Sequence, residues 1–242
     1  MKICILHIGH SEPGAVSAHR PSPERFRTAL APHLPTADWT TISAVLDDLP
    51  DPEAFDAYLI TGGKYSVFED LDWQHRFLEF ITTLIKQEIP LIGICYGHQA
   101  IAKVIGGTVE RSPKGYGVGL MPVNVVAETD WSTVSDTPLM LHAMHQDQVT
   151  SVPEGAEIFL SSDFCPISGF SYGTSVLAIQ QHPDFTAALN RDLIEKRIDR
   201  IGQSTASEAL ASLSGRDDTE ASVAWMAKFL QSALSRRFAS AG

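Results

Sequence analysis

Apolar residues along the chain fall into two rhythms, and the change between them divides it. Over the first hundred residues, short apolar runs alternate with stretches of helical spacing. Residues 2–8, 38–45, 57–61 and 91–94 read as strands, the last two as short, branched, near-continuous runs typical of strands buried on both faces. Between them, residues 23–34 begin with Pro23, which a first helical turn tolerates, and read as a helix. Residues 73–87 carry Phe77, Phe80, Ile81, Leu84 and Ile85 at helical spacing. After 91–94 a further helical pattern stops at Gly106-Gly107. Strands alternating with helices predict a parallel sheet covered on both faces, with ligands at the C-terminal ends of its strands.

Beyond Gly107 the rhythm changes. Residues 117–127, 139–150, 156–161, 167–172 and 175–181 read as strands without intervening helices, which predicts an antiparallel segment on or beside the edge of the sheet. Helical spacing returns at 186–201. Residues 202–220, rich in Ser, Ala, Thr and Asp, read as a mobile connection, and 223–238 as a closing amphipathic helix. No internal repeat is present. The expectation is one α/β domain over 1–242, with a core to about residue 200 and a helical extension over 203–242. The loop over 9–23, with two glycines and three prolines, is placed where it could cover a pocket.

Composition narrows the function. A hydrophobic content of 44% with 19% charged residues suits a globular domain with a sound core, and no apolar run reaches membrane-spanning length. The formal net charge of −11 argues against a nucleic-acid backbone or an anionic membrane as partner. Cys4, Cys95 and Cys165 are too few and too scattered for a disulfide framework or metal spacing, so a reducing, cytoplasmic setting is expected, with no metal or other cofactor.

One of the three cysteines stands apart. Gly93-Ile94-Cys95-Tyr96-Gly97 joins a strand to a helix, the cysteine version of a G-x-S-x-G nucleophile elbow. Glycines two before and two after allow strand and helix to pass closely, and the turn lifts the thiol out of the sheet. The helix N-terminus beyond it favours a negatively charged nucleophile. A buried core cysteine is the alternative that the pentapeptide alone leaves open.

Other pieces sit at strand ends. Gly62-Gly63, before Lys64-Tyr65, exposes backbone N–H groups that with the N–H of Tyr96 could form an oxyanion hole. His182-Pro183-Asp184 follows the last strand and offers a base with a carboxylate to orient it. Gln99 lies a turn into the elbow helix, and His145-Gln146-Asp147-Gln148-Val149 could wall a pocket. Surface glutamine and solvated loop are their ordinary alternatives.

Taken together, G-I-C-Y-G-H-Q around Cys95, Gly62-Gly63, H-x-D-x-V at 145–149 and Q-x-H-P-D at 180–184 resemble the class I, triad-type glutamine amidotransferases. The likeness is nearest to GMP-synthase glutaminase domains and their stand-alone relatives, including plant γ-glutamyl peptidases. It spans about residues 40–190. The resemblance implies a flavodoxin-like, mostly parallel sheet and a Cys-His-acid triad of Cys95, His182 and Asp184. Gly63 and Tyr96 would form the oxyanion hole, and Gly62, Gln99, Gln146 and Asp147 would meet a small substrate, glutamine or another γ-glutamyl amide. It also leaves room for a glutaminase subunit serving a separate ammonia-accepting synthetase. A silent binding or regulatory protein on the same fold is the non-enzymatic alternative. An α/β-hydrolase is disfavoured, because His182 precedes Asp184.

Three features depart from the family. Asp184 is one methylene shorter than the usual Glu, Lys64-Tyr65 stand where proline usually follows the glycine turn, and no synthetase-like stretch accompanies the motifs.

Overall fold

The computed structural model of the chain describes residues 1–9 and 18–240, so most of the predicted 9–23 loop lies outside the described residues. The elements that build the sheet come first: β1 (Lys2–Ile8), β2 (Asp38–Ser43), β3 (Ala57–Gly63) and β4 (Leu91–Ile94). Helices α1 (Ser22–Leu30), α2 (Asp72–Lys86) and α3 (Tyr96–Val104) alternate with them. Seven strands follow: β5 (Thr108–Arg111), β6 (Gly117–Val125), β7 (Leu139–His145), β8 (Asp147–Ser151), β9 (Ala156–Ser161), β10 (Gly169–Tyr172) and β11 (Val176–Ile179). Four helices close the chain: α4 (Ala187–Lys196), α5 (Ile198–Ile201), α6 (Gln203–Ser212) and α7 (Thr219–Ser240).

Nine strands form one mixed sheet in the order β2-β1-β3-β4-β11-β10-β9-β6-β7. From β2 to β11 all neighbours are parallel; from β11 to β7 all are antiparallel. The expected α/β sheet flanked by helices is present, and its antiparallel part makes up nearly half of it.

Alternation along β1 shows why its sequence is continuously apolar. Ile3 and Ile5 pack with Phe26 and Leu30 of α1 and with Phe229 and Leu230 of α7. Cys4, Leu6 and Ile8 pack with Phe77, Ile81 and Leu84 of α2 and Ile101 of α3 on the other face. With helices on both sides, neither set of alternating positions can be polar. A third cluster joins Val118 and Leu120 of β6 to Leu189, Ile194, Ala206 and Ala209 of α4 and α6.

Three expectations are corrected. Residues 139–150 are two strands: β7 pairs with β6 and β8 pairs with β5, so the chain changes partner at Gln146. Strand β5, unanticipated, is the other half of that small second sheet. Residues 203–212, expected to be mobile, form α6, because small residues let it lie directly on β6. Gly119, at φ +86°, is where they meet: a Cβ there would stand 2.8 Å from the Ala209 carbonyl oxygen.

Candidate active site

Strands β3, β4 and β11 are adjacent and parallel, so their C-terminal ends open side by side, and each ends in one of the motifs. At the end of β4 the chain turns through Cys95, whose φ of 52° and ψ of −98° place it outside the regions that L-residues prefer. Such a conformation costs on the order of 1–3 kcal/mol and persists only where its surroundings enforce it. They do so here. A Cβ on Gly93 would stand 2.6 Å from the Gly97 carbonyl oxygen, and one on Gly97 would stand 2.8 Å from that of Ile60. The strand, the helix and β3 therefore touch backbone to backbone. Helix α3 begins at Tyr96, so the N–H groups of its first turn are without intrahelical partners.

The neighbouring strand brings the imidazole. The Cys95 N–H donates to the Ile179 carbonyl (2.9 Å), and three residues on, the His182 N–H donates to the His142 carbonyl (2.9 Å). His182 Nδ1 lies 3.3 Å from Asp184 Oδ1, and the ring stacks on Phe185 at 4.0 Å between centroids. Burial disfavours the imidazolium, but the Cys95 sulfur charge and Asp184 outweigh it and hold His182 up at about 9. Burial likewise works against the Asp184 carboxylate, yet His182, Arg25 and Ser22 hold it down at about 2. Gly62 packs against both groups: a Cβ there would lie 2.7 Å from His182 Cε1 and 3.3 Å from Cys95 Cβ.

Above these groups is a cavity of about 110 Å³ whose walls include Gly63, Cys95, Tyr96, Gln99, Gln146 and Asp147. Cys95 is only 6% exposed and lines the cavity. His182, Asp184 and Gly62 are not among the residues that line it. Gln99 reaches the cavity, but its amide nitrogen donates to the Asp147 carbonyl (2.8 Å) and to Gln180 Oε1 (3.0 Å). Those bonds of its nitrogen brace the wall, while the residue itself lines the cavity. Asp147 accepts from Ser66 Oγ and, at 3.4 Å, from Arg111 Nε. The Gln146 carbonyl accepts the Ser112 N–H at 2.9 Å.

Two side chains around Asp184 were not anticipated. Ser22 Oγ donates to Asp184 Oδ2 at 2.8 Å, and Arg25 Nη2 donates to the same oxygen at 2.6 Å. Their one sequence signal is that Arg25 stands near the start of α1, where the helix dipole disfavours a cation unless a carboxylate faces it. Cys4 and Cys165 are buried away from the cavity, and burial pushes their thiols up to about 12 and about 11.

The fold is that of glutamine amidotransferases of known structure. Those from Thermotoga maritima (TM-score 0.70, 21% identity, 98% of this chain and 96% of that one) and Methylobacillus flagellatus (TM-score 0.71, 20% identity, 97% and 93%) superpose on it almost throughout. The chain belongs to the class I glutamine amidotransferase family, whose sequence model, "Glutamine amidotransferase class-I", matches residues 35–199. Among curated relatives, γ-glutamyl peptidase 3 of Arabidopsis thaliana is 29% identical over 166 residues, covering 66% of this chain and 65% of that one. A glutamine-hydrolysing GMP synthase subunit of Sulfolobus acidocaldarius is 33% identical over 131 residues, covering 54% and 68%. The alignment with the plant peptidase thus spans just under two-thirds of its length. Among the described residues no helix is long and apolar enough to cross a membrane.

Proposed function

We propose that this chain cleaves the γ-glutamyl amide of glutamine or of a γ-glutamyl conjugate through a thioester on Cys95, using Cys95, His182 and Asp184 as a triad. The observation that carries the reading is the strained turn at Cys95. It holds a thiol against the cavity with the His182 imidazole, from the adjacent strand end, close behind it.

The thiolate sulfur attacks the γ-carbonyl carbon, and the C–S bond forms as the carbonyl electrons move onto oxygen. The N–H groups of Gly63 and Tyr96 stabilise that oxyanion, each worth about 3–4 kcal/mol at most. His182, protonated at neutral pH, gives its proton to the departing nitrogen, and the C–N bond breaks. Acylation also removes the sulfur charge that holds His182 so high. The imidazole, having given up its proton, then stays unprotonated at neutral pH and is free to take one from water. Hydroxide then adds to the thioester, the C–S bond breaks, and glutamate, thiolate and imidazolium are restored. Asp184 orients the ring throughout.

The test is turnover of L-glutamine and of γ-glutamyl-p-nitroanilide by the purified chain and by Cys95→Ala. The substitution is expected to lower turnover by roughly 10⁵-fold or more while leaving the far-ultraviolet circular dichroism spectrum unchanged. Residual activity near that of the wild type would remove Cys95 from its role. Iodoacetamide followed by mass spectrometry is expected to label Cys95 and spare Cys4 and Cys165.

The similarity to a GMP synthase subunit favours a second reading, in which ammonia released at the same site passes to a separate synthetase. Turnover that stays negligible until a synthetase is added distinguishes it from independent hydrolysis.

A further inference from the structure

The least expected contacts of the site come from α1. The Arg25 guanidinium is engaged along three directions. Nε donates to the Asp184 main-chain carbonyl at 3.0 Å and to Oδ2 at 3.2 Å, and Nη2 donates to Oδ2 at 2.6 Å. Nη1 donates to the Arg20 carbonyl at 2.6 Å. The same guanidinium lies 5.7 Å from the centre of the Phe185 ring, the ring that stacks on His182.

The division of labour on the carboxylate is informative. A guanidinium serving only as a counter-ion favours the two-pronged arrangement, with one N–H on each carboxylate oxygen. Here Arg25 and Ser22 together direct three donors at Oδ2 and none at Oδ1. Oδ1 is left to His182 Nδ1, 3.3 Å away. The Asp184 side chain is 1% exposed and that of Arg25 19%, so the clamp works in a largely dry setting.

We propose that Arg25, assisted by Ser22, is a positioning residue that sets the place and plane of the His182 imidazole by clamping Asp184 and Phe185. One guanidinium fixes the carboxylate that meets the ring at its edge and the phenyl that meets it on its face. A short aspartate, which cannot reach toward the imidazole by flexing an extra methylene, depends on its backbone being held, and Arg25 holds that too. Lysine cannot replace it: a single ammonium cannot bond the side chain and main chain of residue 184 in the same plane as the Arg20 carbonyl.

The proposal rests on Cys95 and His182 being the reacting pair, and the experiment separates the two claims. Arg25→Ala is assayed with γ-glutamyl-p-nitroanilide, alone and with guanidinium ion added at concentrations well below denaturing ones. A misplaced base costs rate rather than affinity, so kcat is expected to fall about a hundredfold with KM unchanged to about twofold. Arg25→Lys is expected to recover part of that loss, Ser22→Ala to lose only a few-fold, and guanidinium to restore a measurable fraction of kcat to Arg25→Ala. A folded Arg25→Ala with wild-type kcat, or a loss confined to KM, overturns the proposal. If Arg25→Ala does not fold, Arg25→Lys decides: a wild-type kcat overturns the proposal and a deficit in kcat alone sustains it. If the wild-type chain turns over no γ-glutamyl amide, the functional reading fails. The clamp is then read from the rate of Cys95 alkylation by iodoacetamide, expected to fall about tenfold in Arg25→Ala. An unchanged alkylation rate rejects the clamp independently of any substrate.

Discussion

A methyl group at residue 62 would stand 2.7 Å from His182 Cε1, closer than carbon atoms approach without something moving. Its other near neighbour is the Cys95 Cβ, 3.3 Å away and fixed by the turn, so the imidazole ring is what shifts. Gly62→Ala is therefore expected to lower kcat by about a hundredfold through displacement of His182. Little change is expected in the far-ultraviolet circular dichroism spectrum, and activity near wild type would show that the ring can retreat without consequence. The residues legible in the sequence share a local logic. Gly62, Gly63 and Cys95 announce themselves because their constraint is in the backbone, and the positions around them repeat it. His182 and Asp184 are legible because a single residue, Pro183, separates partners that lie 3.3 Å apart. Arg25 and Ser22 were not, since their contacts to Asp184 cross about 160 positions and nothing local encodes them. What the Gln99 amide nitrogen bonds was hidden for a related reason. Whether a glutamine faces a substrate or braces a wall depends on Gln180 and Asp147, which only the folded chain brings to it.

At the scale of elements, periodicity located the parallel strands and their helices within a few residues. It failed where an element serves two partners or scarcely shows a face. The run at 139–150 is continuous in character, but its first half belongs to the main sheet and its second to the small one, and strand character does not record a change of neighbour. Helix α6 buries Ala206 and Ala209 and offers Ser212 Oγ to the Leu120 N–H at 2.9 Å, a contact made by small and polar groups without a stripe of large apolar ones. Its docking depends on Gly119. There a Cβ would combine a left-handed backbone angle with approaches of 2.8 Å to the Ala209 carbonyl oxygen and 2.5 Å to Ser212 Oγ. Gly119→Ala is expected to destabilise the protein by about 3 kcal/mol, through strain of the order seen at such positions. Urea unfolding measures it; a loss below about 0.5 kcal/mol, the range of inconsequential surface changes, would show that α6 is not seated by this contact.

For the molecule as a whole, buried histidines dictate how stability follows pH. Burial pushes His98 down to about 3 and His145 to about 4, and it also lowers His142 despite Asp217 at 3.2 Å. In the unfolded chain each titrates near pH 6.5. Below that value the unfolded chain takes up protons that the native one refuses, so acidification destabilises. His182 has the opposite sign: held at about 9, it keeps a proton that the unfolded chain loses above about 6.5, so stability also declines as the pH rises toward 9. Three histidines act on the acid side and one on the alkaline, so melting temperatures measured at constant ionic strength are expected to be highest near pH 7 and lower at both 5 and 8. A monotonic rise from 5 to 8 would contradict the assignment, and Cys95→Ala, lacking the sulfur charge, is expected to flatten the alkaline side.

The order of the strands also bears on how a cell makes this protein. Synthesis delivers β4 early, with β3 on one flank, but the strand that fills its other flank is β11, made some eighty residues later. Through that interval the nascent chain presents Leu-Ile-Gly-Ile as an open, oily border that invites pairing with a stranger. The Cys95 thiol, at the tip of that border, has no His182 beside it until nearly ninety further residues have been made.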